Sequence, residues 1–239
     1  MMNTQKKLEH LVEQLKQAFG ARLLSVVLYG SAAAGDHNEN FSDLNILCIL
    51  SGLGLPELEA SEPVFRWWRA QNNPAPLLLP EDELRTSTDC FPMEFHDIRQ
   101  CHRILYGEDL VSSLEIDDAF YRAQVEYQIR SKLLRLRQKG AGVLQDKDLL
   151  LRLMADSIST FCVLGRHALL LSGVPAPVEK RDIVAAMASH FAIDAQAFQT
   201  LLDLREDKVK PGALDAKALF EQYLKGVAEL AFAVDRLAR

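Results

Sequence analysis

Strand-like sequence in this chain is confined to its first half, and that confinement limits the fold more than any other feature. Between residues 23 and 106, short apolar runs bounded by turn residues alternate with amphipathic stretches. From about Asp117 onward every apolar pattern has helical spacing. In the first half, Leu8, Leu11, Val12, Leu15 and Phe19 share one face of a helix that Gly20 ends. Residues 23–29 and 44–50 are short apolar runs rich in β-formers, each predicted to be a buried strand. Gly52, Gly54 and Pro56 mark the next turn, and residues 57–71 read as a helix carrying Val64, Phe65, Trp67 and Trp68. Adjacent helical residues diverge, so one tryptophan is expected in the core and the other partly over the surface. Pro74 and Pro80 bracket a short strand. Residues 91–98 read as another, which residues 103–106 extend or follow.

The second half offers five candidate helices, at 119–139, 148–171, 180–190, 194–203 and 215–237. Gly140 with Gly142, residues 172–175 and Pro211-Gly212 are the expected breaks. The predicted class is therefore α+β, a mixed sheet flanked by helices followed by an all-helical bundle. The change of pattern falls at 107–117, which divides the chain into expected domains 1–112 and 113–239.

Composition narrows the function classes. An apolar fraction of 49% with 25% charged residues belongs to a soluble globular protein. No apolar run reaches the roughly 18–20 residues of a membrane span, and residues 1–15 alternate charge and Leu at helical spacing, unlike an export signal. The four cysteines have neither metal-type spacing nor a small-domain disulfide pattern, so reduced thiols and a cytoplasmic location are expected. Cys101-His102 beside His96 carries no metal expectation, because neighbours on a strand face opposite sides. A net charge of −6 argues against a nucleic-acid backbone as the main partner. Arg130, Lys132, Arg135, Arg137 and Lys139 are a local exception, read first as a solvated helix face and second as a surface for RNA or an acidic substrate.

The chemistry gathers around Leu28-Tyr29-Gly30-Ser31 and, eleven residues on, Asp43-Leu44-Asn45-Ile46. A strand that ends in Gly-Ser and turns at once into a helical turn at 31–34 lets the backbone approach a ligand. Its free N–H groups and the Ser31 hydroxyl suit a phosphate. A polar loop at 35–40 follows. Asp43 and Asn45 stand two residues apart on the next strand, so their oxygens share a face, as a Mg²⁺-nucleotide site requires.

These motifs resemble the nucleotidyltransferase superfamily of DNA polymerase beta and the minimal nucleotidyltransferases. Its signature is Gly-Ser, about a dozen residues, Asp-x-Asp, and a third carboxylate on a later strand. The segment Leu105-Tyr106-Gly107-Glu108-Asp109-Leu110 and the helical half are similar to those of bacterial two-domain members. The resemblance implies Gly30 and Ser31 on the phosphates, and Asp43, Asn45 and a third carboxylate on Mg²⁺. Glu94 is the preferred third group, flanked by core-facing Met93 and Phe95, with Asp97 as the alternative. Asp43 and Glu94 would then be catalytic, in transfer of an NMP group from an NTP to a hydroxyl of a small molecule, protein or RNA.

Two departures support a second reading, a protein that binds nucleotide or a partner without transferring anything. Asn45 replaces the second metal-binding Asp, and Ala32-Ala33-Ala34 stands where many relatives carry an Arg. From the helical half, Arg166, His167 and Asp156 are candidate cleft residues, although a capped or surface-paired helix role is the simpler reading for each. A homodimer through that half is left open. It lacks the Arg-x4-6-His motif of helical ribonucleases, since Arg166 and His167 are adjacent and Arg181 and His190 lie too far apart.

Overall fold

The computed structural model describes residues 4–30, 32–33 and 44–237. The chain forms two compact units, Met1–Asp118 and Ala119–Arg239.

The first unit is built on a four-stranded sheet. Helix α1 (Thr4–Phe19) buries Leu8, Leu11, Val12, Leu15 and Phe19 and ends at Gly20, which adopts φ +56°. Strands β1 (Leu23–Tyr29) and β2 (Asn45–Leu50) pair antiparallel, placing Tyr29 opposite Asn45. Helix α2 (Leu55–Arg69), strand β3 (Leu77–Pro80) and strand β4 (His102–Gly107) complete the layer in the order β3-β2-β1-β4. β3 runs parallel to β2, and β4 antiparallel to β1. The sheet is covered on both faces, so β1 and β2 are continuously apolar rather than alternating. Val26, Leu28, Ile46 and Cys48 meet Leu11 and Leu15 of α1 and Val64 and Trp68 of α2 on one side. Val27, Leu47 and Ile49 meet Leu84, Phe95, Ile98 and Val111 on the other. Trp68 is fully buried, while Trp67 is half-buried and edge-on to His10 at 4.8 Å, as adjacent positions on a helix require.

One expectation is overturned here. Residues 91–98 are not a strand; Pro92–Gln100 is helix α4, preceded by a short helix α3 (Glu81–Thr86) that the sequence reading missed. Pro92 occupies the first turn, where a missing N–H is harmless, and Pro92, Phe95 and Ile98 are buried at three-residue spacing. That spacing serves a helix lying on the sheet, and α4 supplies part of the second core.

The second unit is all helix: α5 (Tyr121–Val143), α6 (Lys147–Leu171), α7 (Lys180–Phe191), α8 (Gln196–Arg205) and α9 (Ala216–Asp235). Asp146 and Asp215 cap α6 and α9 through their side chains, accepting from the N–H groups of Leu149 and of Lys217 and Ala218. Gly140 and Gly142 do not break α5, contrary to expectation, because the helix runs through both to Val143. Gly140 is there for packing, since a Cβ on it would stand 2.2 Å from the Phe220 ring. The basic residues Lys132, Arg135, Arg137 and Lys139 lie on the exposed side of α5 and form no ion pair among the described residues. No described helix is long and apolar enough to cross a membrane.

Candidate functional site

The C-terminal end of β1 brings several polar groups together. Gly30 follows Tyr29 and takes φ +81°, a left-handed conformation that an L side chain adopts only under strain. Its carbonyl accepts from the Ala33 N–H at 2.9 Å, the bond of a tight turn. The Gly30 N–H donates to the Cys101 carbonyl at 3.0 Å, and the Cys101 thiol donates back to the Gly30 carbonyl at 3.3 Å. The Ala32 N–H is given to no acceptor among the described residues. Of the helical turn expected at 31–34, Ala32 and Ala33 lie in a turn and not in a helix, and residues 31 and 34 lie outside the described residues. Ser31 and Asp43, two of the predicted site residues, lie outside the described residues, as does the 35–40 loop.

Asn45 begins β2 directly across from Tyr29, and its amide nitrogen is 3.4 Å from the place a Cβ on Gly30 would occupy. His102, the first residue of β4, is the partner of Tyr29 on the other side. Residues directly opposite in an antiparallel pair share a face, so Asn45, Tyr29 and His102 form a row across three strands beside Gly30. The sequence reading considered His102 only as part of Cys101-His102, where no metal was expected, and gave it no role at this site. Its Nδ1 faces the Arg99 carbonyl at 3.2 Å, and its Nε2 lies 3.4 Å from both Asp109 Oδ2 and Ser112 Oγ. The Ser112 hydroxyl donates to Asp109 at 2.6 Å, and the N–H groups of Val111 and Ser112 donate to the other carboxylate oxygen. The hydroxyl bond first, with the backbone and His102 bonds adding to it, holds the Asp109 carboxyl down at about 2. The short Ser112 bond is the one to Asp109, at 2.6 Å against 3.4 Å to the imidazole, so the three read as a loop anchor and not a nucleophilic triad.

Glu94 lies on α4, exposed, and not on a strand between core-facing neighbours. Phe95 does face the core, while Met93 is only half-buried. Glu94 still stands close enough to influence the site's face. Burial raises the Tyr29 hydroxyl above its ordinary range, and the Glu94 charge adds to that shift. Asp97 is half-buried one turn further along α4. Among the described residues no three His, Cys, Asp or Glu side chains gather to hold a metal.

The helical candidates fall within the second unit. His167 is fully buried on α6 and bonds the Tyr121 hydroxyl at 2.7 Å through Nδ1, with Arg166 nearly buried beside it. Asp156 is exposed and faces Arg152 at 3.9 Å. For Asp156 the surface-paired role holds.

No protein-family model matches the chain, and no curated protein sequence does. Among solved structures, spectinomycin adenyltransferase AAD(9) from Enterococcus faecialis, determined with ATP and spectinomycin, matches 95% of this chain and 99% of its own. The TM-score is 0.62 at 13% sequence identity. Identity that low speaks for shared architecture and not for shared chemistry. A mixed sheet followed by a helical unit is thus the fold this chain shares with that nucleotidyltransferase.

Proposed function

We propose that this protein binds a nucleoside triphosphate at the Gly30 turn and transfers its NMP group to a hydroxyl of a small molecule. The observation that carries this reading is the turn itself. It sits at the end of β1 in a fold shared, over nearly the whole length of both chains, with an adenyltransferase studied with ATP. In this reading the turn's outward N–H groups and the Ser31 hydroxyl receive phosphate oxygens. Asp43 is the charged metal ligand, Asn45 contributes one neutral carbonyl oxygen, and Glu94 approaches from α4. Mg²⁺ would neutralise phosphate charge there. The described residues alone are a thin donor set for it, one amide and one exposed carboxylate, so Asp43 carries most of the requirement. Residues 1–118 hold nine Lys and Arg against nineteen Asp and Glu, a net −10, which favours a cationic or neutral acceptor over nucleic acid. Cytoplasmic location and a single catalytic chain, or a homodimer, are compatible with the same reading.

Calorimetric titration with Mg²⁺-ATP and the other Mg²⁺-NTPs tests it. A dissociation constant below the millimolar range, lost in Asp43→Ala, is the expected result. No binding of any NTP at millimolar concentration overturns it.

One observation favours a second reading, nucleotide binding without transfer. The Asn45 amide stands beside the Gly30 turn, uncharged and able to donate to phosphate where a transferase of this kind needs a second anionic metal ligand. In that case the protein binds nucleotide but releases no pyrophosphate with any acceptor, and Asn45→Asp increases Mg²⁺ dependence while weakening metal-free binding. Pyrophosphate release by the wild type that Asp43→Ala abolishes decides for transfer.

A further inference from the structure

We propose that Cys101 is a positioning residue for the nucleotide, its thiol holding the Gly30 turn in the shape that receives phosphate. The proposal rests on the nucleotide reading above and names a residue that the fold's motif does not include. Gly30 is held at both ends of its peptide groups. Its N–H is taken by the Cys101 carbonyl at 3.0 Å, and its carbonyl receives the Ala33 N–H at 2.9 Å and the Cys101 thiol at 3.3 Å. The Gly30 N–H is therefore not a phosphate donor; that task falls to the Ala32 N–H, which no acceptor among the described residues takes.

The Ala32 N–H keeps one direction only while the Gly30 carbonyl stays in its two bonds. At φ +81° a glycine has a wide, shallow conformational range, and nothing in its own covalent structure fixes the direction of that carbonyl. The Ala33 bond is internal to the turn and moves with it. The bonds from Cys101 come from the junction of α4 and β4, seventy-one residues away, and tie the turn to the rigid part of the unit. Cys101 is itself well placed to hold, because its N–H caps α4 on the Asp97 carbonyl at 3.1 Å. The backbone half of the tie is independent of residue type, whereas the thiol half is removed by one substitution. Its loss frees the carbonyl to rotate and spreads that donor over a wider cone, an entropic cost at binding.

The test compares wild type, Cys101→Ala and Cys101→Ser in Mg²⁺-ATP affinity by calorimetry and in thermal stability by scanning fluorimetry. The expected result is a dissociation constant raised about three- to tenfold in Cys101→Ala and restored to within about twofold in Cys101→Ser, which keeps a donor at that place. The melting temperatures of the two variants should agree with each other, which separates positioning from folding. Unchanged affinity in Cys101→Ala, or equal weakening in both variants, overturns the proposal. A wild type that binds no nucleotide removes the nucleotide reading itself and this role with it.

Discussion

The two units of this protein hold themselves together by different means. In the first, the critical close contacts are backbone against backbone. A Cβ on Gly107, at φ +79°, would stand 1.9 Å from the Leu24 carbonyl oxygen, beside the irregularity in the β1–β4 register. In the second, the close contacts are side chains seated on glycines: Phe220 on Gly140, Met187 on Gly165 and Phe198 on Gly226. A sheet draws its strands to a spacing fixed by hydrogen bonds and leaves little slack, whereas packed helices can shift side chains by small amounts. The units also differ in charge, −10 against +4, with eighteen Lys and Arg facing fourteen Asp and Glu in residues 119–239. The acidic unit contains the candidate site, and the exposed cations of α5 lie in the other.

Both tryptophans, Trp67 and Trp68, belong to the first unit, and most helix belongs to the second, so indole fluorescence and far-ultraviolet dichroism can follow the units separately. The largest expected effect is Gly107→Ala. The added methyl meets a backbone carbonyl at a conformation that alanine resists, which should cost about 3 kcal/mol or more and shift the fluorescence transition in urea. An unchanged fluorescence midpoint would show that β4 can move off β1 without penalty.

Gly140→Ala comes next. Here only the Phe220 ring must give way, and alanine's better helix propensity offsets part of the cost, leaving about 1–2 kcal/mol in the dichroism transition. Gly142, two residues on, has open space around its Cβ position, so Gly142→Ala should instead stabilise by about 0.5–1 kcal/mol. Equal signs for the two substitutions would contradict the packing role of Gly140.

Acid titration gives a smaller and matched pair. Asp109 in the first unit is held down to about 2 chiefly by the Ser112 hydroxyl, and Glu206 in the second to about 2 chiefly by Arg181. Each carboxylate is depressed in the folded state, so its contribution is complete above the unfolded value near 4 and is lost as pH falls toward 2. Both side chains are more than a third exposed, at 40% and 43%, so solvent screening limits each to under about 1 kcal/mol. Asp109→Asn and Glu206→Gln should each flatten the acid limb of stability in their own unit between pH 4 and 2. A change confined to the other unit's probe would break the assignment. The smallest effect belongs to Arg135→Ala with Arg137→Ala. These exposed, unpaired cations should leave both transitions within about 0.5 kcal/mol of wild type.

Much of this was legible in the sequence because it depends on neighbours a few residues apart. The residues of α1 and its stop at Gly20 follow from periodicity and glycine conformation, and β1 and β2 follow from short β-rich runs with turns on both sides. The five helices of the second unit follow from their apolar spacing, with capping residues near the predicted starts. Residues 91–98 were misread because Phe91, Met93 and Phe95 alternate as a strand would, while the helical signals, Pro92 in the first turn and Phe95 with Ile98 three apart, were passed over. With that error went the reason for choosing Glu94, although Glu94 does lie near the site's face through Tyr29.

Local sequence thus determined that a strand must end at Gly30, since the apolar run stops there and glycine permits the turn that follows. It likewise predicted a facing strand over 44–50, which the structure places at Asn45–Leu50. Only the tertiary structure decided what surrounds that turn. Cys101 and His102 reach it because β4 pairs with β1 and not with β3, a choice made by side chains on both faces of the sheet seeking cover. Pairing between segments some seventy residues apart depends on the free energy of burying both faces together, which no window of sequence contains.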